Sequence, residues 1–120
     1  IPVLIDVKRI EMLSFEDGGL HGGIDLLLQV LESEYPSNVL ALRQALAARR
    51  LVVILDGLDD ATTCKPAVFK LIQTLASGAH SFLVTSRPGG FADLPGGDSF
   101  ANAYLCKMDL QPVPARESFL

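Results

Sequence analysis

The chain has 120 residues, a length suited to one small domain or to part of a larger one. Hydrophobic residues make up 49% and charged residues 20%, a balance that excludes disorder over most of its length. Ten basic against fourteen acidic residues leave a net charge of −4, which excludes a grip on nucleic acid based on bulk charge.

No apolar stretch reaches the roughly 18–20 residues needed to span a bilayer. No basic, leader-like start precedes the first apolar run. A membrane span and a signal peptide are therefore not expected, and the expected location is the cytoplasm. The chain opens at Ile1 directly on a buried-looking segment and so reads as a fragment or a processed chain. Cys64 and Cys106 have neither metal-site spacing nor a disulfide framework and read as buried thiols. His21 and His80 read as loop or boundary residues.

In chain order, the run Ile1 to Val7 predicts a buried strand, with Pro2 tolerated only at its start. Gly18, Gly19, Gly22 and Gly23 mark a loop from Glu16 to Gly23. Ile24, Leu27, Leu28 and Leu31 recur on one helical face, Asp25 favours the first turn, and Pro36 ends the helix. Asn38 predicts the cap of a second helix with a stripe of Val39, Leu42 and Leu46, closed by Arg49 and Arg50.

The unbroken run Leu51 to Leu55 predicts a central strand of a parallel sheet, buried on both faces. A third helix is expected near Pro66, lined by Phe69, Ile72 and Leu75, with Gly78 just past its end. Ser81 to Ser86 predicts the next strand. Phe91 to Asn102 reads as loop, Ala103 to Met108 as a fourth strand, and Pro114 to Glu117 as the start of another helix. Strands alternating with helices imply a parallel, doubly wound α/β sheet.

Chemistry concentrates at two strand ends. The segment LVVILDGLDD puts Asp56 at the carboxyl end of a central strand, the edge of an open α/β sheet where ligands bind. A carboxylate there can hold Mg²⁺ beside nucleotide phosphates. Gly57 leaves room beside it, and Asp59 or Asp60 can orient or deprotonate an attacking water. The structural alternative makes Asp56-Gly57 a turn and the acidic pair a cap for the next helix. At the end of the following strand, Thr85-Ser86-Arg87-Pro88 would lie beside Asp56 at the same edge. A polar or basic residue there can sense a γ-phosphate or stabilise developing charge; the alternative is a polar strand end with Arg87 solvated.

The segments LVVILDGLDD and FLVTSRPGGF resemble the Walker B and sensor 1 strands of the NACHT family, in the STAND class of P-loop NTPases. IPVLIDV resembles that family's second strand and YLCKMDLQPV its fifth, so the resemblance covers most of residues 1–120. It implies an incomplete three-layer αβα NTPase domain. Asp56 would be the magnesium ligand, Asp59 and Asp60 the catalytic acidic pair, Ser86 a nucleotide-site residue and Arg87 the sensor 1 arginine. Mg²⁺, ATP and other protein chains would be the partners of an oligomerising, slowly hydrolysing switch.

The departure from the family is plain. No GxxxxGKS/T segment occurs, and Gly18 to Gly23 is glycine-rich without the lysine. In the family the strand that carries that loop precedes the one beginning at Ile1. It would lie between the strands ending at Ser86 and Met108, so the expected sheet has a gap. Asp60 stands where the family usually has Glu, which implies slower hydrolysis. A haloacid-dehalogenase-like phosphatase needs DxD, and a phosphoreceiver domain needs an acidic pair where Asp6 is alone. The competing expectation is a remnant without a P-loop, kept as a structural or assembly subunit.

Overall fold

The computed structural model of the chain describes residues 1–16 and 23–87. The predicted strand at Ala103 to Met108, the helix at Pro114 to Glu117, the loop from Phe91 to Asn102, His21 and Cys106 lie outside the described residues. Strand β1 (Pro2–Asp6) is followed by α1 (Val7–Glu16), α2 (Ile24–Glu34), α3 (Val39–Ala47), β2 (Val52–Asp56), α4 (Lys65–Ser77) and β3 (Ser81–Val84). Single 3-10 turns occupy Pro36–Asn38 and Leu58–Asp60. The fold is α/β, with a parallel three-stranded sheet in the order β1-β2-β3.

Register fixes what the site can be. Asp6 lies opposite Asp56 and Leu55 opposite Val84, so all three carboxyl ends finish at one edge. The two crossovers, β1 to β2 and β2 to β3, step the same way along the sheet. Right-handed crossovers then put their helices on one face. Burial agrees: Val3, Ile5, Val53 and Leu55 are buried against Leu26, Leu27, Leu31, Leu71, Ile72 and Leu75 in one core. Each fully buried leucine is worth roughly 2 kcal/mol of transfer free energy, so this single helical layer carries the stability of the described fold.

The opposite face is uncovered by described residues. Leu4, Ile54 and Leu83 form one row across the three strands by register, and Leu4 and Leu83 are 57% and 50% exposed. The expectation that Leu51 to Leu55 is buried on both faces therefore fails for Val52 and Ile54 among the described residues. The sheet with one helical layer is compatible with the expected αβα arrangement.

The two sheet edges differ as well. Val52 N–H donates to the Ile1 carbonyl at 2.8 Å, so alternation turns the backbone groups of Pro2 and Leu4 outward. Pro2 has no N–H to offer, and the Leu4 carbonyl accepts the Tyr35 hydroxyl at 3.1 Å. The β1 edge is closed to a further strand by these two features. On β3, Thr85 N–H faces β2 and donates to the Leu55 carbonyl at 2.9 Å, so Phe82 and Val84 turn outward, where no described strand meets them.

Several local expectations need correction. Val7 opens α1 rather than closing β1, because the Asp6 carboxylate accepts the Lys8 N–H at 3.0 Å and caps the helix at once. Asn38 makes no side-chain cap; it ends the 3-10 turn begun by Pro36. Arg49 and Arg50 lie beyond α3, which ends at Ala47. Arg49 instead adopts a left-handed φ of 60° and sends its Nε to the Gly78 carbonyl at 2.8 Å. That contact ties the two turns at the amino end of the sheet. Gly78 keeps an ordinary φ of −85°, and Ala79 takes the left-handed conformation. Strand β3 stops at Val84, two residues before the predicted end. Cys64 is buried as expected, and His80 sits at the start of β3. Among the described residues no helix is long and apolar enough to cross a membrane.

Candidate functional site

An open depression of about 290 Å³ lies at the carboxyl edge of β2 and β3, lined by Asp56, Gly57, Asp59, Asp60, Thr85, Ser86 and Arg87. The structure thus brings together every residue that the sequence singled out for nucleotide chemistry. They meet because β2 and β3 are adjacent and in register, so two motifs far apart in the chain end side by side.

The floor is a clamp made by Thr85. Its carbonyl accepts the N–H groups of Gly57 at 3.2 Å and Leu58 at 2.8 Å. Its hydroxyl accepts the Gly57 N–H at 3.1 Å and donates to Asp56 Oδ1. Thr85 therefore fixes the turn after β2 and orients the Asp56 carboxylate. Ser86, expected at the site, turns its hydroxyl to the Arg87 carbonyl at 2.9 Å. The contact to Asp56 belongs to Thr85. Register decides this, since the pair after Leu55 and Val84 is Asp56 and Thr85.

The reading of Asp59 and Asp60 as a cap for the next helix does not hold. Both lie in the 3-10 turn Leu58–Asp60, whereas α4 starts at Lys65 after Cys64 and has no side-chain cap. Asp59 Oδ1 accepts the Arg87 N–H at 3.2 Å, and its Oδ2 lies 3.7 Å from Arg87 Nε. Arg87 is 88% exposed on its side chain, so this ion pair contributes about 0–1 kcal/mol. The pair keeps Arg87 at the wall of the depression. Asp60 turns its Oδ2 back over Gly57.

Gly57 has φ 86°, ψ 50°, the left-handed conformation that a side chain disfavours. A Cβ added there would lie 2.7 Å from Asp60 Oδ2. The carboxylate can swing away from that contact, so the backbone term dominates the cost. Gly57→Ala is expected to lower stability by ~1–2 kcal/mol and to displace Asp60 from its place. Denaturant unfolding checks the first effect, and an unchanged midpoint would contradict it.

Glu11 gave no local signal, because its partners lie 51 and 53 residues away. It is buried on α1, and its Oε1 accepts the N–H groups of Thr62 at 2.5 Å and Cys64 at 2.7 Å. Burial pushes its carboxyl up, but the hydrogen bonds from Cys64 and Thr62 outweigh burial and hold it below the usual range. Its contribution is therefore complete above the ordinary carboxylate pKa and is lost as pH falls through the lower folded value. Burial first, and the adjacent Glu11 second, push the Cys64 thiol up to about 12, which leaves it inert.

Three carboxylates and one arginine leave the depression negative by two formal charges, from three minus one. Among the described residues no group of three or more His, Cys, Asp or Glu side chains could hold a metal ion by itself. Asp56 is exposed, and among the described residues only its Oδ1 receives a hydrogen bond. The other oxygen, bonded by no described residue, could be one ligand of a Mg²⁺ ion, which keeps several waters and is shared with substrate phosphates. No protein-family model, no curated protein and no solved structure matches the chain. What the site can do is read from its own side chains.

Proposed function

We propose that this depression is the magnesium-side half of an ATP site in a NACHT-type, P-loop NTPase-like signalling switch. Asp56 would hold Mg²⁺, Asp59 and Asp60 would handle the attacking water, and Arg87 would face the γ-phosphate. Magnesium bound there would supply neutralisation of charge on the phosphate oxygens. The observation that carries the reading is the Thr85-clamped Asp56 beside an acidic turn, at the carboxyl edge of a parallel sheet. Thr85 holds one oxygen of Asp56 in place, Asp59 pairs with Arg87, and Gly57 keeps the space between them clear.

The sheet itself adds independent support. Among the described residues no strand meets the β3 edge, the β1 edge is closed, and the apolar face opposite the helices is uncovered. One strand–loop–helix unit placed before β1 would satisfy all three. Its strand would pair with β3. Its helix would then return to β1 in the opposite sense, and a right-handed crossover in that sense runs over Leu4, Ile54 and Leu83. The loop between them would meet Thr85 and Ser86 at a topological switch point, with a helix N-terminus facing the phosphates.

The same edge and face favour a second reading, a non-catalytic assembly subunit whose missing unit comes from another chain. One comparison separates them. A GxxxxGKS/T segment roughly 20–50 residues before Ile1 is expected from an ordinary connection length. Residues 1–120 alone are expected to bind ATP·Mg²⁺ negligibly, since the depression repels bare phosphate. A version extended through that segment is expected to bind with a dissociation constant of about 1 μM, or roughly −8 kcal/mol. Calorimetric titration of both checks this. Micromolar binding by the short chain contradicts the need for the upstream loop, and no binding by the extended one contradicts the nucleotide reading.

A further inference from the structure

We infer that Glu11 is a positioning residue for the acidic turn, an inference that rests on the proposed role of Asp59 and Asp60. Glu11 is the one buried charged residue among those described, 8% exposed. One of its oxygens takes two backbone N–H groups, and the other, Oε2, is buried with no partner among the described residues. A buried carboxylate is costly unless its bonds are worth more than its lost hydration, and charge-assisted bonds to N–H groups are the strong kind. This one is spent on the segment between the acidic turn and α4.

That segment is the far end of the turn. Thr85 holds the near end through Gly57 and Leu58. The Asp60 N–H donates to the Gly57 carbonyl at 2.9 Å, and the Ala61 N–H to the Leu58 carbonyl at 3.1 Å. Thr62 and Cys64 then bond to Glu11, and the Lys65 N–H returns to the Thr62 carbonyl at 3.2 Å. Asp59 and Asp60 therefore stand between two anchors. Leu58 and Ala61, both buried, keep the span from rotating. Without Glu11 the far anchor is gone, and Asp59 loses the fixed base from which it holds the Arg87 N–H.

The test uses the extended protein with Glu11→Ala and Glu11→Gln. Amide hydrogen exchange at Thr62, Cys64 and Arg87 is read first, because it does not depend on nucleotide chemistry. Glu11→Ala is expected to speed exchange by about tenfold or more at Thr62 and Cys64, and to speed it at Arg87 as well. Glu11→Gln keeps an acceptor oxygen and is expected to show smaller rises at the same three amides. Should Glu11→Ala fail to fold, Glu11→Gln alone decides the point. Faster exchange at Thr62 and Cys64 with Arg87 unchanged overturns the proposal and leaves Glu11 a local cap; unchanged exchange at all three overturns it too.

The second reading is kinetic. Glu11→Ala is expected to lower kcat by about tenfold while KM for ATP stays within about twofold, with rescue in Glu11→Gln. An equal kcat in all three proteins overturns the positioning role. If the unaltered protein shows no hydrolysis, the nucleotide reading falls, and the exchange measurement still decides the role of Glu11.

Discussion

Replacing Asp56 by alanine is expected to abolish magnesium-dependent ATP hydrolysis in the extended protein while leaving part of its metal-free nucleotide binding. The expected loss is large because the carboxylate that would hold the ion is removed, and with it several kcal/mol of transition-state stabilisation. The structural cost of the change is small by comparison. Asp56 is exposed, and its one described bond comes from the Thr85 hydroxyl, which still accepts the Gly57 N–H when Asp56 is gone. A single exposed hydrogen bond is worth about 1 kcal/mol or less. Asp56→Asn makes the distinction sharper. Its amide oxygen can still accept from Thr85, so the fold is kept, yet the negative charge is gone. Both variants should keep the unfolding midpoint near that of the unaltered protein and lose turnover. Steady-state hydrolysis across a magnesium titration reads the result. Undiminished turnover in both would make Asp56 a turn residue and nothing more.

Asp59→Asn and Asp60→Asn are each expected to keep nucleotide binding, and at least one should slow hydrolysis by ~10²-fold or more, the usual scale for a positioned general base. The geometry separates these acids from Asp56. Asp56 ends the strand, whereas the pair sits on the 3-10 turn beyond Gly57, further along the chain. An amide still accepts a hydrogen bond and cannot take a proton. In Asp59→Asn the bond from the Arg87 N–H can survive, and the lost ion pair with an exposed arginine costs about 0–1 kcal/mol. A hundredfold loss of rate could not come from that pair. The slow variant should accumulate with ATP bound and, in a switch, stay longer in its assembled form. Single-turnover hydrolysis followed by native mass measurement reads both effects. Unaltered rates in both variants would reduce the acidic turn to a structural feature held by Glu11 and Thr85.

The strands were legible because parallel sheets write themselves as short apolar runs. Val52 to Leu55 and Ser81 to Val84 stood out for that reason, and α2, α3 and α4 showed through their 3.6-residue periodicity. Helix α1 was missed, since it follows β1 without a turn and Val7 extends the apolar run that β1 begins. Gly78 stands just past α4 as expected, but the positive φ of that turn falls on Ala79. Composition does not record which of the two neighbours takes that conformation.

By itself the sequence determined the α/β class, the order of the described strands and helices apart from α1, and the residues that line the depression. These follow from local rules, namely period, caps and the placement of acids after a β-branched run. Tertiary structure alone decided the rest. Register set Thr85 rather than Ser86 against Asp56. Packing of α1 brought Glu11 to the turn that carries Asp59 and Asp60, across 51 residues of chain. The two crossovers step the same way along the sheet, so among the described residues one face is uncovered and the β3 edge meets no strand. The physical reason is the same in each case. A hydrogen bond or a buried face depends on which distant segment arrives beside it, and no local pattern records that arrival.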